Sequence, residues 1–78
     1  MDLIQTLLSH AEEEPIGRTK LLAKSGMSFS LFDSYLTSLI EKEFLEERLK
    51  DEHKFYTTTE KGGFLLEDID KVIKKLKK

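Results

Sequence analysis

The side chains able to meet another molecule through positive charge fall into two stretches: Arg18, Lys20 and Lys24, and further on Arg48, Lys50, His53 and Lys54. Guanidinium and ammonium groups at this density suit phosphate oxygens, which accept charge-assisted hydrogen bonds from them. Between the two stretches runs a row of hydroxyls, Ser28, Ser30, Ser34, Thr37 and Ser38, each able to donate to an anionic oxygen. Glu46, Glu47, Asp51 and Glu52 surround the second basic stretch and weaken its field, and the formal net charge is −2. Anion binding must therefore rest on local charge, and more on the first stretch than on the second.

Other chemistries lack their reagents. With no Cys there is neither a disulfide framework nor a thiolate metal site. His10 and His53 lie in separate segments, without metal-ligand spacing and without a neighbouring nucleophile or orienting carboxylate. No phosphate-cradling glycine-rich loop or nucleophile signature occurs, and Gly62-Gly63 alone is too little. The residues predict no enzyme, no metal site, no cofactor and no dedicated small-molecule pocket.

The elements that must hold these groups follow from periodicity. Residues 2 to 11, DLIQTLLSHA, place Leu3, Ile4, Leu7, Leu8 and Ala11 on one helical face, and Pro15 after Glu12-Glu13-Glu14 ends that helix in a loop. RTKLLAK, Arg18 to Lys24, is a short second helix closed by Ser25-Gly26. Ser28 caps a third helix running to about Lys42, with Met27 stapled on Phe32. Its apolar face is Phe32, Tyr35, Leu36, Leu39 and Ile40; its wet face holds Ser30, Asp33, Ser34, Thr37, Ser38 and Glu41.

From Phe44 the period changes to two. Leu45, Glu47 and Leu49 share one face, Phe44, Glu46 and Arg48 the other, and the β-prone run Phe55 to Thr58 follows, which predicts a hairpin with a four-residue tip, Lys50-Asp51-Glu52-His53. Thr59 then caps a last helix, residues 60–78, with Leu65, Ile69, Val72 and Leu76 in a narrow coiled-coil-like stripe widened by Leu66 and Ile73. Lys71, Lys74, Lys75, Lys77 and Lys78 suit the negative end of its dipole.

At 78 residues the chain has material for one core, so residues 1–78 are expected to form a single domain. So small a domain buries only about 60 to 65% of its unfolded surface, which makes a second copy of the chain a natural source of extra burial. With 38% apolar and 36% charged residues, the composition is that of a folded domain. No apolar run approaches the ~20 residues that cross a bilayer and no basic leader opens the chain, so a cytoplasmic protein without a membrane partner is expected.

Several strings together carry a family resemblance: RTKLL, SGMSFSLFDSYLTSLIEKEFLEE and FYTTTEKGGFLLEDI. Over roughly residues 3 to 76 they resemble archaeal winged helix-turn-helix regulators. Those regulators share a basic-Thr-basic start to helix two (here Arg18-Thr19-Lys20), "L-S-y" opening helix three (Met27-Ser28-Phe29), and "Y-L-x-x-L" within it (Tyr35, Leu36, Leu39). "G-L-I" leads to the wing (Glu43-Phe44-Leu45), and "Y-x-l-T-e-K-G" follows it (Tyr56, Thr59 to Gly62). Tyr35 and Leu36 read as packing residues, and Gly62 and Gly63 as places of close approach. Two positions depart from the pattern. Glu43 replaces a helix-ending Gly, which predicts a longer helix or a different turn, and Thr58 replaces an apolar residue, which predicts a looser second wing strand.

The resemblance implies a mainly α fold with a β-hairpin wing: a three-helix core, a two-stranded wing and a C-terminal helix. It implies a transcriptional regulator that binds double-stranded DNA, with helix 28–42 in the major groove and Ser28, Ser30, Ser34, Thr37 and Ser38 as contacts. Arg18, Lys20 and Lys24, with Arg48, Lys50, His53 and Lys54 of the wing, would position phosphates. The stripe Leu65, Ile69, Val72 and Leu76 either packs on the first helix or pairs with its copy in a homodimer, which is the expectation favoured here. The alternative is a winged-helix module that binds protein, to which the acidic balance, the Arg-free third helix and exposed apolar residues at Phe29 and Leu31 would point.

Overall fold

A computed structural model describes residues 3–76; Lys77 and Lys78, counted above among the cations of the last helix, lie outside the described residues. The order is α1 (Leu3–Glu13), β1 (Ile16–Gly17), α2 (Arg18–Ser25), α3 (Phe29–Glu41), β2 (Leu45–Lys50), β3 (His53–Thr58) and α4 (Glu60–Leu76). The helical periodicities become α1, α3 and α4, the alternating segment becomes the β2–β3 hairpin, and the mainly α fold with a β wing is confirmed.

The buried face of each helix meets one core. Leu7, Leu8 and Ala11 of α1, Leu21 of α2, and Phe32, Leu36 and Leu39 of α3 close on Ile16, Leu45, Tyr56 and Leu66, all nearly or fully removed from solvent. Tyr35 and Ile40 flank that face half-buried, while Ser30, Asp33, Ser34, Thr37, Ser38 and Glu41 are exposed. Full burial of side chains of this size stabilises by about 1.5–3 kcal/mol each, which outweighs any single cap or ion pair in the domain.

The wing gains a strand. Ile16 and Gly17, expected in a loop, pair antiparallel with Tyr56 and Phe55, so the sheet has the order β1-β3-β2. A two-residue strand is too short to show periodicity, and Pro15 before it is tolerated where a strand begins at a sheet edge. The hairpin tip is also tighter than expected. Lys50 pairs with His53, leaving Asp51 and Glu52 as a two-residue turn with φ of 50° and 65°. Positive φ at both central positions is the mark of a primed turn, whose twist matches the flanking strands.

The helix ends follow the capping chemistry. Gly26 takes φ 71° after α2, and the Ser28 side chain accepts from the Leu31 N–H at the start of α3. At the far end of α3 the amide of Phe44 donates to the Leu39 carbonyl at 2.9 Å and that of Glu43 to Ile40 at 3.0 Å. This pair of bonds is a Schellman closure, with Glu43 in the left-handed seat at φ 65°. The helix therefore neither runs on nor changes its turn; Glu43 takes the conformation that a glycine would.

Its neighbours hold it there. The Thr59 hydroxyl donates to the Glu43 carbonyl at 2.7 Å and accepts from the Gly62 amide at 3.0 Å. The Lys61 ammonium donates to the Lys42 carbonyl at 3.0 Å and lies over the Phe44 ring. Gly62 is buried so close to this turn that a Cβ there would stand 2.1 Å from the Phe44 carbonyl oxygen, whereas a Cβ at Gly63 would meet only the Glu12 carboxylate at 3.4 Å. Close approach is thus required at Gly62 and not at Gly63. Thr58, expected to loosen its strand, instead donates to the Leu8 carbonyl at 2.7 Å and ties β3 to α1.

The first half of α4 packs back on the domain: Leu66 is buried, Leu65 is half-buried against the core, and Asp70 accepts a hydrogen bond from Gln5 of α1. Leu65 thus serves the domain's own core. Further along, Ile69 and Ile73 are half-buried while Val72 and Leu76 are 56% and 79% exposed.

Candidate nucleic-acid interface

α2 and α3 meet at the basic start of the one and the first turn of the other. Arg18 Nη2 lies 2.6 Å from Asp33 Oδ1, and Nη1 reaches the Tyr56 hydroxyl at 3.5 Å. The Tyr56 hydroxyl in turn donates to Glu47 at 2.9 Å. The guanidinium carbon also sits 5.5 Å from the Phe29 ring centre and 5.6 Å from that of Phe32. Four side chains, Asp33, Arg18, Tyr56 and Glu47, therefore join α3, α2, β3 and β2 in one polar chain. Nothing in local spacing announces it, because its members are brought together only by the tertiary fold.

Charge and burial set the protonation of this chain. The bond to Asp33, then that to Tyr56, holds the Arg18 guanidinium more firmly protonated than usual. Burial pushes the Tyr56 phenol up, against the hydrogen bond from Arg18 and with the help of Glu47. At neutral pH Arg18 is thus a charged guanidinium and Tyr56 a neutral phenol.

Other predicted contacts are placed differently. Lys20 and Lys24, four residues apart on α2, are exposed and make no ion pair among the described residues. Ser30, Ser34, Thr37 and Ser38 form the outward face of α3, while the Ser28 side chain is engaged as the acceptor of its cap. On the wing Arg48 pairs with Glu46. Strand register puts Arg48, Lys50 and His53 on one face and Lys54, opposite Leu49, on the other. The structure thus ties Arg18 of α2 to α3 through Asp33 and divides the candidates of the wing between two faces.

Among the described residues no group of three or more His, Asp or Glu side chains is arranged to hold a metal ion, and no helix is long and apolar enough to cross a membrane.

A helix-helix-helix core with an antiparallel wing and a capping fourth helix defines a winged helix-turn-helix protein. The family model described as winged helix-turn-helix matches residues 1–77, and the chain belongs to that family. Solved structures agree. The DNA-binding protein Sso10a-2 from Sulfolobus solfataricus superposes with a TM-score of 0.81 at 25% identity, over 96% of this chain and 79% of that one. AF1382 from Archaeoglobus fulgidus gives 0.79 at 16% identity, over 97% and 88%. SSV1 F-93 gives 0.67 at 25% identity, over 96% and 87%. No curated protein matches the sequence.

Proposed function

We propose that this protein is a DNA-binding transcriptional regulator of the cytoplasm, without catalytic activity of its own, that acts as a homodimer. The observation that carries the reading is the outward face of α3, a strip of small exposed hydroxyl side chains, with the exposed cations Lys20 and Lys24 on the preceding helix, neither in an ion pair among the described residues. Such a face fits a major groove, where hydroxyls meet phosphates and base edges while lysines draw the duplex in. Similarity to Sso10a-2, described as a DNA-binding protein, supports it.

In this reading α3 supplies base contacts through Ser30, Ser34, Thr37 and Ser38, and Ser28 meets a phosphate at the helix start. Lys20 and Lys24 anchor phosphates, with Arg18 partly engaged by Asp33. On the wing Lys50, His53 and Lys54 are secondary anchors, and Arg48 is already paired with Glu46. The second copy covers Val72 and Leu76 together with the half-buried Ile69 of α4. A twofold dimer of this kind presents two recognition helices to two half-sites.

A second reading, a winged-helix module for a protein partner, is favoured by the exposure of Phe29 and Leu31 and by the net negative charge. Binding to mixed-sequence duplexes across a salt series separates the two. A steep loss of affinity with salt, reduced in the Lys20→Ala, Lys24→Ala variant, supports the regulator; no binding at about 50 mM salt supports the protein-binding module.

A further inference from the structure

The residues of α3 that face outward lack the usual tools of base readout. Phe29 to Glu41 contains no Arg, Lys, Asn or Gln, so neither the bidentate contact to guanine nor the one to adenine is within reach of this helix. Its hydroxyls discriminate poorly between bases. What it offers besides is apolar: in its first turn Phe29 is 62% and Leu31 42% exposed. At about 100° per residue these two stand roughly 160° apart and flank Ser30. Phe29 also lies beneath the Arg18 guanidinium, 5.5 Å from its ring centre, a contact that steadies a side chain which the core does not hold.

One feature of a major groove answers to apolar side chains, the C5-methyl of thymine. Resting on the DNA-binding reading above, we infer that Phe29 and Leu31 are specificity-determining residues that select methyl-bearing pyrimidines, so that the protein prefers A·T-rich duplex. The chemistry is contact between methyl and side chain, with the lysines of α2 supplying attraction that is blind to sequence. 5-Methylcytosine presents the same methyl at the same place in the groove and is recognised by the same contacts.

The test needs no altered protein at first. Matched A·T-rich duplexes carrying thymine or uracil, which differ only in the methyl, are titrated with the full chain at low salt by fluorescence anisotropy. Burial of a single methyl corresponds to about a fourfold change in affinity, so uracil duplexes are expected to bind about four- to tenfold more weakly. Exchange of cytosine for 5-methylcytosine is expected to strengthen binding in the same range. In the Phe29→Ala, Leu31→Ala variant both preferences disappear while the dependence on salt stays as it was; both sites are exposed, and an unchanged thermal midpoint verifies the fold. Equal affinity for thymine and uracil duplexes overturns the inference while leaving DNA binding intact, as does a thymine preference that survives in the variant. Absence of binding to every duplex overturns the DNA-binding reading itself, and the inference falls with it.

Discussion

Asp33 Oδ1 lies 2.6 Å from Arg18 Nη2, so a carboxylate of α3 engages the cation at the start of α2. Both side chains are partly exposed, 32% for Arg18 and 51% for Asp33, and a pair in such surroundings stabilises the fold by about 1 kcal/mol at most. Its larger effect falls on the field at the candidate interface.

Replacement of Asp33 by Asn removes that anion and frees Arg18. Thermal stability is expected to change little, and affinity for duplex DNA at about 100 mM salt to rise about fivefold, on the order of 1 kcal/mol. Titrations of both proteins against one duplex check this; unchanged or weaker binding by the variant contradicts the placement of Arg18 at the interface.

Tyr56 makes stability depend on alkaline pH. Burial raises its pKa above the ordinary 10.0 that applies to the unfolded chain. The folded protein therefore keeps the phenolic proton where the unfolded one has lost it. The contribution is complete below about pH 10 and declines as pH rises through the folded value. Tyr56→Phe, which loses the bond to Glu47, is expected to cost about 1 kcal/mol at neutral pH. In urea unfolding the gap between the two proteins should narrow above pH 10; a gap that widens there refutes the assignment.

The two adjacent glycines of α4 are predicted to behave in opposite ways. Gly62→Ala drives a methyl into the backbone oxygen of Phe44, which is expected to destabilise by about 3 kcal/mol. Gly63→Ala meets a movable carboxylate and is expected to gain about 0.5–1 kcal/mol from helix propensity. Thermal melts of the pair decide the matter, and similar losses at both sites would contradict the packing described.

Glu43, Asp51 and Glu52 hold positive φ without being glycine, and each left-handed residue costs about 1–2 kcal/mol. Glu43→Gly leaves the Schellman bonds in place and is expected to raise stability by about 1 kcal/mol, as is the exchange of Asp51-Glu52 for Asn-Gly. Chemical denaturation midpoints that fall instead would count against these turn geometries.

These sites show what was legible in the sequence. Elements carried by period and capping could be read directly: Leu7 and Leu8 announce α1, Ser28 and Thr59 announce caps, and the change of period after Phe44 announces the wing. Ile16-Gly17 could not, because a two-residue strand is specified by its partner Tyr56 rather than by its own pattern. The tight turn at Asp51-Glu52 was hidden because neither residue carries the usual primed-turn signal of Asn-Gly. At the candidate interface, the outward-facing residues of α3 followed from helical spacing. The engagement of Arg18 with Asp33 and Tyr56, and the division of Lys54 from Lys50, depend on tertiary contacts and strand register, which single-sequence spacing does not encode. In α4 the stripe was visible, but which part of it the domain itself would cover was decided by α1.

On the proposed reading, duplex DNA is held by α2 and the outward face of α3. The most direct measurement is amide chemical-shift mapping of the labelled protein on addition of a short duplex at low salt. Perturbations are expected to concentrate on Arg18 to Lys24 and Phe29 to Ser38, with smaller ones at the wing turn and little change along Val72 to Leu76. Shifts confined to α4, or a spectrum that the duplex leaves untouched, would contradict it.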